Sequence, residues 1–162
     1  MIRFVKNIVD LTLIKSISGI RGTIGGKAGD NLTPIDVVEM TSAFAQWVIE
    51  NSDKKKIVVG RDGRISGQMV SSLAVNALIS MGLDVIDVGL STTPTIEMLV
   101  PNQNAGAGII FTASHNPKQW NALKLLNEKG EFISAADGAK VLEYARNRSF
   151  DYVQIDDITR LL

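Results

Sequence analysis

Cysteine is absent from the 162 residues, which removes disulfides, thiolate metal sites and a cysteine nucleophile from consideration. Charge of a single sign is also lacking: Lys+Arg is 17 and Asp+Glu is 17, a net charge of zero. Without a basic excess there is no counterion-release drive toward a polyanion, so no nucleic acid partner is expected. No apolar run approaches the ~18 residues of a membrane span, so no membrane partner is expected either. Residues 1–13, MIRFVKNIVDLTL, carry Arg3, Lys6 and Asp10 among the apolar positions. A signal peptide needs about 7–15 unbroken apolar residues and a small-residue cleavage site, and neither occurs. A cytoplasmic location is the resulting expectation. What is present is ordinary for a soluble globular protein: 45% hydrophobic and 21% charged residues, which excludes disorder, collagen repeats and coiled coil. A chain of this length suits one domain and can bury roughly 68–70% of its unfolded surface.

Glycines and helix caps divide the chain into alternating strand and helix patterns. Residues 11–17 read as a strand, and the glycine-rich residues 18–29 as the loop after it. Thr33, Pro34 and Asp36 form a helix start with cap, first-turn proline and returning carboxylate. Behind them Val37, Met40, Phe44, Trp47 and Val48 share one helical face. Residues 57–60 form a fully apolar strand of the kind found in parallel sheets covered on both sides. Ser66 is placed to cap a helix with an apolar stripe of Met69, Val70, Leu73, Ala77, Leu78 and Met81, closed by Gly82. Further strands are expected at residues 85–89 and 108–111, with a short helix at Thr93-Pro94 between them. Residues 121–132 read as a hairpin and 134–148 as a last helix, while 151–162 show no partner pattern and read as a truncated linker. The expected architecture is α/β: a three-layer α/β/α sandwich with a mixed, mainly parallel sheet over residues 1–150. In open α/β sheets ligands bind beyond the carboxyl ends of the strands, so the loops there are where chemistry is expected.

The densest of those loops, residues 112–124, sets Ser114, His115, Asn116, Lys118, Asn121 and Lys124 directly after a buried strand. A hydrophilic turn is the plain reading of such a composition. A serine hydrolase fails on geometry: the single histidine is the neighbour of Ser114, whereas a triad base must face the hydroxyl from elsewhere. The G-x-S-x-G elbow is missing as well. Phosphate chemistry fits better. A phosphorylated serine carries about −1.5 to −2 charges and three acceptor oxygens. Loop amides, a nearby lysine and an arginine from another loop are the groups that stabilise such charge.

Thr112-Ala113-Ser114-His115-Asn116-Pro117, followed by Asn121 and Lys124, resembles the phosphoserine signature of the α-D-phosphohexomutases. These comprise phosphoglucomutases, phosphomannomutases and phosphoglucosamine mutases. Ser18-Gly19-Ile20-Arg21-Gly22 is similar to the N-terminal arginine loop of that family, and Gly60-Arg61-Asp62-Gly63-Arg64 to its second-strand turn. Three motifs in order, spanning about residues 13–150, resemble the first of the family's four domains. One departure is visible: the family has glycine after the loop's second asparagine, and here Ala122 stands there. An alanine at that place implies negative φ or slight strain.

The resemblance implies roles. Ser114 would carry the transferable phosphoryl group, passing it to a sugar phosphate through a hexose bisphosphate intermediate, with hexose bisphosphate also serving as activator. Lys124 would be the general acid and base; an ammonium cannot accept a proton, so this role needs burial or a neighbouring cation to favour the amine. Arg21 would stabilise the moving phosphoryl group with its planar fork. His115, Asn116 and Asn121 would shape the loop around phosphate. Mg²⁺ would bind an oxygen of phosphorylated Ser114. The family's Asp-x-Asp-x-Asp metal loop and its sugar-reading loops belong to later domains, and Asp156-Asp157 lacks that spacing. The chain is therefore expected to be a half-site, inactive alone, with a sugar phosphate and the remaining domains of the same enzyme as partners. Glucose and mannose phosphates are the expected substrates, with glucosamine phosphate as the alternative; a non-catalytic module binding phosphate or a partner protein is the other class. Four features take plain structural readings: Arg64-Ile65-Ser66-Gly67 as a helix cap, Asp62 as an Asx-type turn carboxylate, Trp120 as packing, and Lys54-Lys55-Lys56 as a solvated turn.

Overall fold

Alternation along the buried strands decides which helices cover which face of the sheet. In the computed structural model, which describes residues 11–16 and 19–162, the elements follow in chain order. They are β1 (Ile14–Ser16), β2 (Gly19–Thr23), α1 (Pro34–Asn51), β3 (Lys56–Arg61), α2 (Gly67–Ser80) and β4 (Asp84–Leu90). Then come α3 (Thr93–Asn102), β5 (Ala107–Phe111), β6 (Trp120–Leu126), α4 (Ala135–Asn147) and a 3-10 turn at Ile155–Asp157. Ile57, Val59, Ile109, Phe111, Leu123 and Leu125 point to one face and join the apolar stripes of α1, α2 and α4 in the main core. Val58, Ile110 and Leu126, one step out of phase, point to the other face and pack with Ile96 and Val100 of α3. Three layers result. Each large side chain fully withdrawn from water, Phe44 and Phe111 among them, contributes about 1.5–3 kcal/mol.

The sheet order is β1-β2-β6-β5-β3-β4. It is mixed, but parallel pairing is confined to β4-β3-β5, and three of the five strand interfaces are antiparallel. The cause is that β6 returns beside β5 through residues 112–119, and β2 then adds to the far side of β6. The hairpin expected within residues 121–132 reduces to one bridge, Leu126 to Phe132; the long antiparallel partners of β6 are β5 and β2. Among the described residues only α3 covers the second face, lying against β3 and β5. No helix among the described residues covers the antiparallel β6-β2-β1 half of that face, as antiparallel sheets allow.

Helix α1 starts as its sequence predicts: the Thr33 N–H donates to Asp36 Oδ2 at 3.1 Å. The same buried carboxylate also accepts from Gly29 N at 3.0 Å, tying down the glycine-rich segment. Part of that segment is not loop. Gly19–Thr23 is strand β2, and β1 is only Ile14–Ser16; Ile17 and Ser18 lie outside the described residues. Gly19 makes the pairing possible, because at its φ of +134° a Cβ would sit 1.9 Å from the Leu123 carbonyl oxygen. Residues 151–162 have partners after all. Leu161 bridges Val85, the Leu162 N–H donates to Val85 O at 2.8 Å, and Thr159 Oγ1 donates to Leu83 O at 2.8 Å. Tyr152 and Ser42 share a hydroxyl contact at 3.1 Å on α1. The pairing with β4 was invisible in sequence because Arg160 and Leu162 reach Val85 through backbone atoms, and the Thr159 and Tyr152 hydroxyls find partners far away along the chain. No helix among the described residues is long and apolar enough to cross a membrane.

Candidate phosphoserine site

The β5–β6 return positions the site. Phe111 pairs with Leu123 and Ile110 with Lys124, so a lysine ten residues beyond Ser114 comes back beside it. Lys124 Nζ donates to Ser114 Oγ at 2.7 Å. Ser114 is exposed and has φ +53°, in the left-handed region that a residue with a Cβ adopts only when its surroundings hold it there. Its N–H donates to Thr112 Oγ1 at 3.0 Å, and that hydroxyl donates to Asp62 Oδ2 at 2.6 Å.

Arg21 arrives from the other side. Gly19 pairs with Lys124 and Arg21 with Ala122, which puts Arg21, Ala122 and Lys124 on one sheet face. That face is the open half beside α3, and there Ser16, Gly19, Arg21, Ala122 and Lys124 line a cleft of 200 Å³. Arg21 is exposed in it and Lys124 half-buried. Ala122 has no positive φ, so the glycine-to-alanine departure brings no backbone strain; its methyl group is part of the cleft floor. The structure thus brings Ser114, Lys124 and Arg21 to one place, at the carboxyl end of β5 and on the bare face next to it.

The other candidate residues divide. His115 is exposed next to Ser114, and the Asn116 N–H closes a turn onto Ala113 O at 3.0 Å. Asn121 is fully buried: its Nδ2 donates to Ser66 Oγ at 2.9 Å and its Oδ1 accepts from Ala122 N at 2.8 Å. In this position it braces the loop from beneath. The same bond accounts for Ser66, which sits at the start of α2 without capping it by its side chain. Asp62 behaves as the turn carboxylate its place predicts, accepting from Arg64 N at 3.0 Å. The residue that sequence reasoning passed over is Arg64, whose guanidinium reaches carbonyls at Ser114, Asn116, Pro117 and Trp120. An arginine in a glycine-flanked turn gives no local sign of targets fifty residues away.

This motif geometry has close relatives. The family described as "Phosphoglucomutase/phosphomannomutase, alpha/beta/alpha domain I" matches residues 13–151. The chain belongs to that family. A phosphoglucomutase/phosphomannomutase of Thermococcus kodakarensis is 36% identical over 143 residues, covering 86% of this chain and 31% of that protein. A phosphoglucosamine mutase of Helicobacter pylori is 42% identical over 113 residues, 68% of this chain and 25% of that one. The crystal structure of a phosphoglucomutase/phosphomannomutase family protein from Burkholderia thailandensis shares the fold, with TM-score 0.75 at 22% identity. The match covers 95% of this chain and 32% of that one. The chain therefore spans about a third or less of these relatives and corresponds to their domain I.

The residues present do not by themselves fit a divalent cation. Among the described residues no group of three or more His, Asp or Glu side chains could hold a metal ion. The carboxylate tied to the loop, Asp62, is already engaged by Arg64 and Thr112. No step below is routed through a metal.

Proposed function

We propose that this domain carries the phosphoserine of a phosphohexomutase that interconverts hexose 1-phosphate and hexose 6-phosphate. The observation that supports it is the 2.7 Å contact between Lys124 Nζ and Ser114 Oγ, formed at the rim of a cleft that also holds Arg21. In the forward transfer a sugar hydroxyl oxygen attacks the phosphorus on Ser114. The new O–P bond forms as the bond to Ser114 Oγ breaks. The hydroxyl must lose a proton and Ser114 Oγ must gain one. A lysine amine lying against Oγ takes the first and supplies the second, so charge balances within the site. Arg21 offers a planar cationic fork to the phosphoryl oxygens as they cross the cleft. Reorientation of the resulting hexose bisphosphate and transfer of its other phosphate back to Ser114 completes the isomerisation. Mg²⁺ belongs to this reading only with ligands additional to the described residues, as do the parts that select the sugar.

Glucosamine phosphate is the second substrate reading, favoured by the 42% identity to the Helicobacter pylori relative named phosphoglucosamine mutase. The test is to incubate the chain with hexose 1,6-bisphosphate or its glucosamine counterpart and map the modified peptide by mass spectrometry. Phosphate on Ser114, lost in Ser114→Ala, is the expected result. Stable phosphate elsewhere and never on Ser114 would overturn the assignment.

A further inference from the structure

Arg64 lies in the turn after β3 and has no part in the chemistry just described, yet all five of its guanidinium N–H groups are committed. Nη2 donates to Ser114 O and Asn116 O, each at 2.9 Å. Nη1 donates to Pro117 O at 2.9 Å and Trp120 O at 3.0 Å. Nε donates to Asp62 Oδ2 at 3.1 Å. The side chain is only 12% exposed, so water competes weakly for these bonds. Asp62 closes a second path to the same residue, through Thr112 Oγ1 to the Ser114 N–H. Both backbone polar groups of Ser114 therefore end on the Asp62–Arg64 pair, one directly and one through a hydroxyl, while its side chain is left for Lys124.

We infer that Arg64, braced by Asp62, is the positioning residue that holds Ser114 in its left-handed conformation ready for phosphoryl transfer. With every donor spent on loop carbonyls and Asp62, the guanidinium has none left for a substrate phosphate; it acts through the loop. Its pull also orients the peptides. With its carbonyl held toward Arg64, the trans Ser114–His115 peptide turns the His115 N–H to the opposite side, away from the guanidinium. Lysine cannot replace this arrangement, because it has three donors on a point charge rather than five in a planar fork.

This inference rests on the proposed role of Ser114, and the experiment separates the two. Phosphate uptake by Ser114 from hexose 1,6-bisphosphate is followed by intact mass spectrometry in the wild-type chain and in Arg64→Lys, Arg64→Ala and Asp62→Asn. Circular dichroism and thermal unfolding are recorded for each. Arg64→Lys is expected to keep its fold and the donor concentration for half-maximal rate, but to lose about 10²-fold in maximal rate, the scale of a small misplacement of a reacting atom. Millimolar guanidinium ion is expected to restore part of the rate in Arg64→Ala and none in Ser114→Ala. If Arg64→Ala fails to fold, Arg64→Lys and Asp62→Asn carry the test. Normal maximal rate in those variants, or a loss that merely tracks the unfolded fraction, would overturn the positioning role and leave the function standing. No phosphate on Ser114 in the wild type would overturn both.

Discussion

Single side chains at this site work through contacts that differ in what their loss should cost. Lys124 touches Ser114 Oγ, so under the proposed mechanism Lys124→Met should leave unfolding unchanged and slow phosphate transfer to Ser114 by about 10²–10⁴-fold, measured by the same mass-spectrometric assay. Gly19 has no side chain to offer the chemistry, yet Gly19→Ala should be worse for the protein. Its positive φ disfavours any Cβ, and the added carbon would lie 1.9 Å from the Leu123 carbonyl oxygen. Strand β2 would have to leave β6, at a cost of at least about 2 kcal/mol in urea unfolding. Arg21 would lose its place as a consequence. Much at this scale was legible: the motifs that carry Ser114, Lys124 and Arg21 stand out in the sequence, and the structure sets Lys124 between the other two. The partners of Asn121 and Arg64 were not legible, because Ser66 and the loop carbonyls lie about fifty residues away in sequence and are chosen by tertiary packing.

Among elements, the α1–α4 contact makes a pH-dependent prediction. The Tyr144 hydroxyl donates to the Glu50 carboxylate across the two helices, and Lys140 Nζ lies 4.9 Å from the Tyr144 ring centre. That hydroxyl, then the Gln46 amide, holds Glu50 below its ordinary 4.5, while the Glu50 bond raises Tyr144 above its ordinary 10.0. For the carboxylate the stabilisation is present above the unfolded value and fades as pH falls through the lowered one. For the phenol it is present below 10 and fades as pH rises through the raised value. The melting temperature of wild type minus that of Tyr144→Phe should therefore be level across neutral pH and shrink at both extremes. A gap independent of pH would show that the ring's packing, not its hydroxyl, joins the helices. Helix α1 itself was legible from Thr33, Pro34 and Asp36, since capping is local. Strand β2 was not, because Gly19 and Gly22 look like loop residues until β6 is beside them. The parallel strands announced themselves by unbroken apolar runs; antiparallel pairing of β1, β2 and β6 depends on neighbours that no local pattern names.

For the whole molecule the uneven covering of the sheet is decisive. Among the described residues one face is sealed by three helices, whereas the other has only α3, with the Arg21–Lys124 cleft beside it. A closed core on one side is enough for the chain to fold alone, so a single cooperative transition is expected in thermal unfolding. An open cleft is not enough for turnover. Phosphoryl transfer depends on positioning and electrostatics, and nothing among the described residues closes over a sugar or grips its distal phosphate. The folded chain is expected to accept phosphate on Ser114 but to show no sustained mutase activity in a coupled assay with Mg²⁺, hexose 1-phosphate and a bisphosphate. Sustained turnover would mean that the described residues form a whole active site.

The antiparallel return from β5 to β6 also sets an order in time. Ser114 and Lys124 are ten residues apart on one hairpin, and hairpins close in about 1–10 μs. Arg21 must find Ala122 across about a hundred residues of chain, a slower search because the intervening loop has to be ordered first. In pulse-labelled refolding, amides shared by β5 and β6 should gain protection before those shared by β2 and β6. The serine–lysine contact is then made before the cleft around it exists, and a chain caught early in refolding would already hold Ser114 against Lys124.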